Sequence, residues 1–308
     1  MDTPAQKPRV VPTRLGGAAG SGLRVPPPPG ATRPAAPAPA PPPPRTAAPP
    51  EVEEEPPSAP ARASPTAGSI ATTGILGLDA QLGGGVPRGT TILIIGEPGN
   101  AISLFSQQFA GGGLDAGEDV HFFEFDRPAG SVRASVTGFV QRGNHSKAEL
   151  TVHDGYSPQF GLSVNARVRD PKAVPVAMGT AIEAMMAALQ NTAAGRPYRM
   201  VVESLSSITR EDNEREVLKF VRNLVYLGHE MDGLHLVSIV KGLHSPVFEA
   251  QLRHLVGGVI EFGVDRKGFG MYNYLLVSKL LNVQDPVRIL LWKETEKGLW
   301  LESTKRVF

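Results

Sequence analysis

"TILIIGEPGNAISLFSQQF", residues 91–109, decides the fold. Thr91 to Ile95 is a run of β-branched and aliphatic residues, the composition of a strand buried on both faces. Gly96-Glu97-Pro98-Gly99 reads as a turn. Beyond it Leu104, Phe105 and Phe109 recur at helical spacing. Buried strand, glycine turn and helix together form the layout of a phosphate-binding loop, in which backbone N–H groups at a helix start face an anion. That loop reads G-x-x-x-x-G-K-[ST]. The eight residues here are Gly96, Glu97, Pro98, Gly99, Asn100, Ala101, Ile102 and Ser103. The first glycine and the final hydroxyl are in place, but Ala101 stands at the second glycine and Ile102 at the lysine.

Working outward, "VHFFEFD" (Val120–Asp126), "LTVHDG", "YRMVVES" and "LHLVSIVKG" read as further strands. Helical segments separate them: the helix after the loop, expected to end near the glycine-rich stop "GGGLDAGED", then "GSVRASVTGFVQRG", a helix over 176–192, "EREVLKFVRNLVYLGHEMDG" ending at Gly228, and "SPVFEAQLRHLVGG". Strands alternating with helices predict an α/β fold, a mostly parallel sheet with helices on both faces. Thr91–Ile95 is expected at its centre, between the strands that end at Glu203 and Val240. The last four runs, "GVIEFGV", "YNYLLVSKL", "VRILLWKE" and "KGLWLES", have hairpin spacing and predict an antiparallel extension.

Of the 29 prolines, 20 lie in residues 1–67, which hold almost nothing large and apolar. Such a segment cannot bury enough surface to offset its ordering entropy. Residues 1–67 are therefore expected to be a disordered Pro/Ala-rich tail and 68–308 a single folded domain. The absence of cysteine excludes disulfides, thiol catalysis and zinc–thiolate sites. No run of 18 apolar residues exists, and the N-terminus carries no apolar signal segment, so a cytoplasmic protein is expected. A net charge of +1 argues against nucleic acid as a partner.

The segment "TGILGLDAQLGGGVPRGTTILIIGEPG" resembles the N-terminal signature of KaiC-like proteins, in the RecA superfamily of P-loop ATPases. Gly74, Gly77, Leu78, Asp79, Gly83, Gly84, Gly85, Pro87 and Gly89 stand where that signature has them. "MVVESLSSI" resembles its Walker B strand, and "IVKGLHSP" with "LVGGVIEF" its late sheet. The likeness covers about residues 69–300 and implies a RecA-like core, with ATP and magnesium as the candidate ligands. It also implies a protein partner or an active homologue, or a homo-oligomer, with signalling among the roles.

Against that pattern the chemistry departs at three places. Ile102 cannot neutralise phosphate charge, and Ala101 adds a Cβ where the backbone should approach it. The Walker B strand ends in Glu203 rather than aspartate, leaving Ser103 and Glu203 as the candidate magnesium pair. Where the resemblance places a Glu-Glu pair that activates water, "FFEFDRP" offers Asp126 and Arg127, with Glu124 close by. A non-hydrolysing regulatory or assembly subunit is therefore expected, with weak or absent ATP binding; an atypical ATPase and a DNA-recombination accessory are the alternatives. Other candidates carry plainer expectations. His244, near Lys241, is expected in a solvated loop, and Met185 and Met186 in a helix core. Trp292 and Trp300 should pack, and "EVEEE" at 51–55 should be solvated. His121, His145 and His153 lack metal-binding spacing.

Overall fold

The computed structural model describes residues 69–302, with gaps at 76, 142–146, 161–169, 193–195, 210–213, 268–269, 282 and 284–287. The expected tail at 1–67 and His145 lie outside the described residues. The main sheet has ten strands: β3 (Thr91–Gly96), β4 (Asp119–Glu124), β5 (Leu150–Asp154), β6 (Val174–Pro175), β7 (Tyr198–Glu203), β8 (Leu234–Val240), β9 (Gly258–Lys267), β10 (Gly270–Leu280), β11 (Arg288–Thr295) and β12 (Gly298–Leu301). Their order is β12-β11-β10-β9-β3-β8-β7-β4-β5-β6. A separate antiparallel ribbon, β1 (Ile70–Ala71) with β2 (Val86–Pro87), sits at the start of the domain.

The α/β fold with an antiparallel C-terminal edge is as the sequence predicts, with one change of neighbours. β3 is flanked by β8 and β9, both parallel to it. The strand ending at Glu203 lies one place further out, against β8. Strand β9 therefore belongs to the parallel body on its β3 side, and antiparallel pairing begins at β9–β10 and continues through β10–β11 and β11–β12.

Period-two alternation along β3 assigns its side chains to two cores. Ile92 and Ile94 join one cluster, under α1 (Leu78–Gln81), α2 (Asn100–Asp115) and α3 (Ala129–Phe139). Leu93 and Ile95 join the other, under α4 (Ala181–Asn191), α5 (Leu205–Thr209), α6 (Glu214–Glu230) and α7 (Pro246–Leu255). Met185 is in that second core and Met186 packs at its margin. Helix α7 opens on Ser245, whose hydroxyl caps the Phe248 N–H, with proline just inside.

Two helices run through glycines that composition alone reads as stops. Helix α2 continues across Gly111-Gly112-Gly113 because each faces something too close for a side chain. A Cβ on Gly112 would lie 2.6 Å from Gly74 Cα, and one on Gly113 2.6 Å from Arg199 Cδ. Helix α6 likewise passes Gly228, which packs on the His235 ring, and ends at Glu230. The 176–192 helix is shorter than its composition suggests, a 3-10 turn at Met178–Thr180 preceding α4.

Candidate functional site at the carboxyl ends of the strands

Parallel strands end in a row, and the crevice beyond their carboxyl ends is where such sheets bind ligands. Strands β4 and β7 are in register with Glu124 opposite Glu203, so two acidic side chains leave the sheet side by side. Strand β3, beyond β8 from them, ends in the same row at Gly96, whose carbonyl accepts from the Lys241 N–H at 2.8 Å. From Gly96 the chain passes an exposed turn, 97–99, and enters α2, whose N-cap Gly99 supplies no side-chain cap.

Ser103, on the first turn of α2, donates its hydroxyl to Glu203 Oε1. Arg127 sits in the turn after β4. Its Nη2 lies 2.8 Å from Glu124 Oε2 and 3.1 Å from Glu203 Oε2. The first contact is a hydrogen bond; the second is an ion pair, Glu203 Oε2 having no hydrogen bond of its own. Glu124 Oε1 accepts from the backbone N–H groups of Asp126 and Arg127, at 2.9 and 3.0 Å. With its amide turned oxygen-inward, Gln107 of α2 accepts from the same guanidinium. Asp126 accepts from the hydroxyls of Ser204 and Ser207, and its charge acts on both Arg127 and Glu203.

Burial sets the electrostatics. The Glu124 and Glu203 side chains are 0% and 6% exposed. Desolvation raises the pKa of Glu124, and the neighbouring Glu203 carboxylate adds to the rise. Desolvation also raises Glu203, against the opposing pull of Arg127 and the Ser103 hydroxyl. Burial works against the charge of Arg127, but Glu203 and Glu124 outweigh it and its pKa is raised.

Ile102 points elsewhere. It is buried in the α2-side core together with Phe105, Ile260 and Phe262. A Cβ on Gly96 would meet its Cδ1 at 3.2 Å, so the side chain lies back against the end of β3.

The predicted site residues are thus split. Ser103, Arg127 and Glu203 come together; Ile102 is in the core; Asp126 belongs to an adjoining serine cluster. Glu124 is the group that closes the site, and its place at the end of a buried strand is the signal that marks it. His244 departs from its expectation. It is half-buried, its Nε2 is 2.7 Å from Ser206 Oγ, and its ring lies 5.1 Å from that of Phe248. His121 and His153, without metal spacing in the sequence, meet at 3.3 Å between Nδ1 and Nε2. Trp292 packs edge-on against Phe262, whereas Trp300 is 42% exposed.

Magnesium would need Ser103 and Glu203. Their oxygens suit a hard cation, but the Glu203 carboxylate already faces a guanidinium, and a divalent ion there would meet it as a like charge. Nucleotide phosphates would need a cation from the loop, and Ile102 supplies none. The residues present do not fit magnesium and ATP as the phosphate-loop pattern holds them.

A parallel sheet of this order, with a glycine turn between its central strand and α2, defines a P-loop fold of RecA type. The family pattern described as "ATPase: KaiC" matches residues 71–299, and the chain belongs to that family. A UPF0273 protein of Methanopyrus kandleri is 25% identical over 249 residues, 76% of this chain and 92% of that protein. A UPF0273 protein of Aeropyrum pernix is 27% identical over 244 residues, covering 76% and 94%. The circadian clock protein KaiC3 of Synechocystis matches at 39% over 67 residues, 22% of this chain and 13% of that one. Among solved structures, a KaiC-like protein of Pyrococcus horikoshii OT3 superposes with a TM-score of 0.57 at 19% identity, covering 76% of this chain and 99% of the other. Among the described residues no helix is long and apolar enough to cross a membrane.

Proposed function

We propose that this chain is a non-hydrolysing member of its family, a regulatory or assembly subunit in signalling that binds ATP weakly or not at all. It would act on a protein partner, on an active homologue or on further copies of itself. One observation carries this reading: the Arg127 guanidinium lies between Glu124 and Glu203, where a working site needs a free carboxylate and a metal. A general base must be able to take a proton from the attacking water. Glu124 instead accepts three hydrogen bonds, two from backbone N–H groups and one from Arg127.

A second reading, an atypical ATPase, draws on the Ser103–Glu203 hydrogen bond, which keeps the magnesium pair together, and on the uncapped start of α2. Phosphate release from magnesium-ATP separates the two. The regulatory reading predicts release at background, unchanged in Ser103→Ala. Release above background that Ser103→Ala abolishes would establish the ATPase. Light scattering with and without ATP and magnesium then tests assembly, with a mass independent of nucleotide expected.

A further inference from the structure

We propose that Arg127 is a built-in counter-ion: it closes the Glu124–Glu203–Ser103 site to divalent metal in the natural chain, and the site opens to one when the guanidinium is removed. The inference deepens the regulatory reading, with which it shares the site.

The two carboxylates are too deeply buried to stand without a positive charge beside them. Arg127 supplies it from a fixed position. Its backbone N–H is bonded to Glu124 Oε1 while its side chain returns to Glu124 Oε2. Residue and acid thus form a short closed loop, with little freedom to swing out. The planar fork reaches Glu203 from the same position. A magnesium ion bonds carboxylate oxygen at about 2.0–2.1 Å. Seated on Glu203, it would stand within a few ångströms of Nη2, where burial leaves the repulsion weakly screened.

Without the guanidinium, two buried carboxylates and the Ser103 hydroxyl remain, held by two strands and a helix. Oxygen donors of that charge are the ligands of a hard divalent ion. Arg127 and a metal are on this account alternatives for one negative site, and the sequence carries the first.

The test uses the full chain without nucleotide, wild type and Arg127→Gln, titrated with MnCl2 by calorimetry and melted with and without it. Wild type should show no Mn2+ binding at this site and no shift of its midpoint beyond that of NaCl at equal ionic strength. Arg127→Gln should melt several degrees lower, and Mn2+ should restore about half of that loss or more. Its Mn2+ affinity should exceed that of wild type about tenfold or more, and adding Glu203→Gln should remove the gain. Wild type that binds Mn2+ as tightly, with the binding lost in Glu203→Gln, would overturn the proposal. So would a folded Arg127→Gln that gains no Mn2+ affinity. Should Arg127→Gln fail to fold even with Mn2+, Arg127→Lys decides: it keeps the charge, and should fold and ignore Mn2+. An Arg127→Lys chain that takes up Mn2+, or does not fold, contradicts the counter-ion role. ATP hydrolysis by a wild type that still takes up no Mn2+ would end the regulatory reading alone, and Mn2+ uptake by a nucleotide-free wild type that does not hydrolyse ATP would end this one alone.

Discussion

Two neighbouring segments of this domain meet the KaiC pattern in opposite ways. Residues 72–89 follow it glycine by glycine, whereas 96–103 follow it only in outline. The difference lies in what each segment touches. In the first, the Thr73 N–H and the Thr72 hydroxyl bond the Asp79 carboxylate, the Thr72 carbonyl accepts from Arg199 at 2.7 Å, and Gly74 lies directly on Gly112. Gly85, at φ 139°, passes against the Ala71 carbonyl with no room for a side chain. Every one of these contacts is part of the fold, with or without a ligand. In the second segment the lysine and the second glycine of the pattern serve phosphate. Where phosphate binding is not required, position 102 can carry an isoleucine that joins the core, and position 101 an alanine.

The largest effect should come from the ion cluster beneath the first segment. Fully buried Arg199 holds Glu118 through Nε at 2.7 Å, and Arg88 reaches the same carboxylate at 2.6 Å. Glu118→Leu leaves two guanidinium groups without their shared anion. It should destabilise by about 3–5 kcal/mol in a urea titration, and a loss under 1 kcal/mol would mean the cluster does not anchor the segment. Next comes Gly112→Ala. Alanine favours a helix interior over glycine by about 1 kcal/mol, but the new Cβ would meet the Gly74 backbone, which cannot rotate away. A net loss of about 1–3 kcal/mol is expected; a gain in melting temperature would show that the two backbones can separate freely.

A third effect is pH dependence, set deep in the sheet rather than at the site. Burial lowers the His235 pKa from 6.5 to about 3, and its ring nitrogens meet Tyr198 Oη at 3.0 Å and Thr91 Oγ1 at 3.3 Å. Because the folded value lies below the unfolded one, the stability it contributes is whole above pH 6.5 and is lost as pH falls toward 3. His153, also lowered to about 3 by burial, acts in the same sense. Each adds a slope approaching about 1.4 kcal/mol per pH unit within that window. His235→Gln should flatten the acid limb of the stability profile by one proton; an unchanged slope would mean that His235 remains charged when folded.

The ligand segment has its own test. Ala101→Gly with Ile102→Lys restores a charged contact for phosphate and should raise ATP affinity about tenfold or more. Turnover should remain at background while Arg127 stays paired with Glu124 and Glu203. An intact double variant with no gain in affinity would place the deficit in the loop backbone rather than in its side chains. The smallest effect should come from Gly99→Ala. The backbone is extended there, at φ 162°, and nothing lies within 4 Å of the new Cβ, so stability should change by less than about 0.5 kcal/mol. A larger loss would erase the contrast with Gly112.

Much of this was legible in the sequence, because period and composition report local structure. The buried strands, α2 and the antiparallel hairpins all follow from residue patterns. Which strand lies beside which does not: β9 follows α7 in the chain yet pairs parallel with β3, a long-range choice that no local pattern encodes. The same limit hid the site's centre. The Glu124–Glu203 register joins residues 79 positions apart, and the Ser206–His244 contact joins helix α5 to the loop after β8. The glycines of α2 and α6 misled for a related reason, since they answer to Gly74, Arg199 and His235 across the packing rather than to their own helices.

On the regulatory reading proposed above, residues 72–89 keep the fold while 96–103 and Arg127 withhold the chemistry. Calorimetric titration of the wild-type chain with magnesium-ATP tests it most directly. With no lysine in the loop and Arg127 on the acids, the dissociation constant should be no tighter than about the high micromolar range. Sub-micromolar binding would contradict the account.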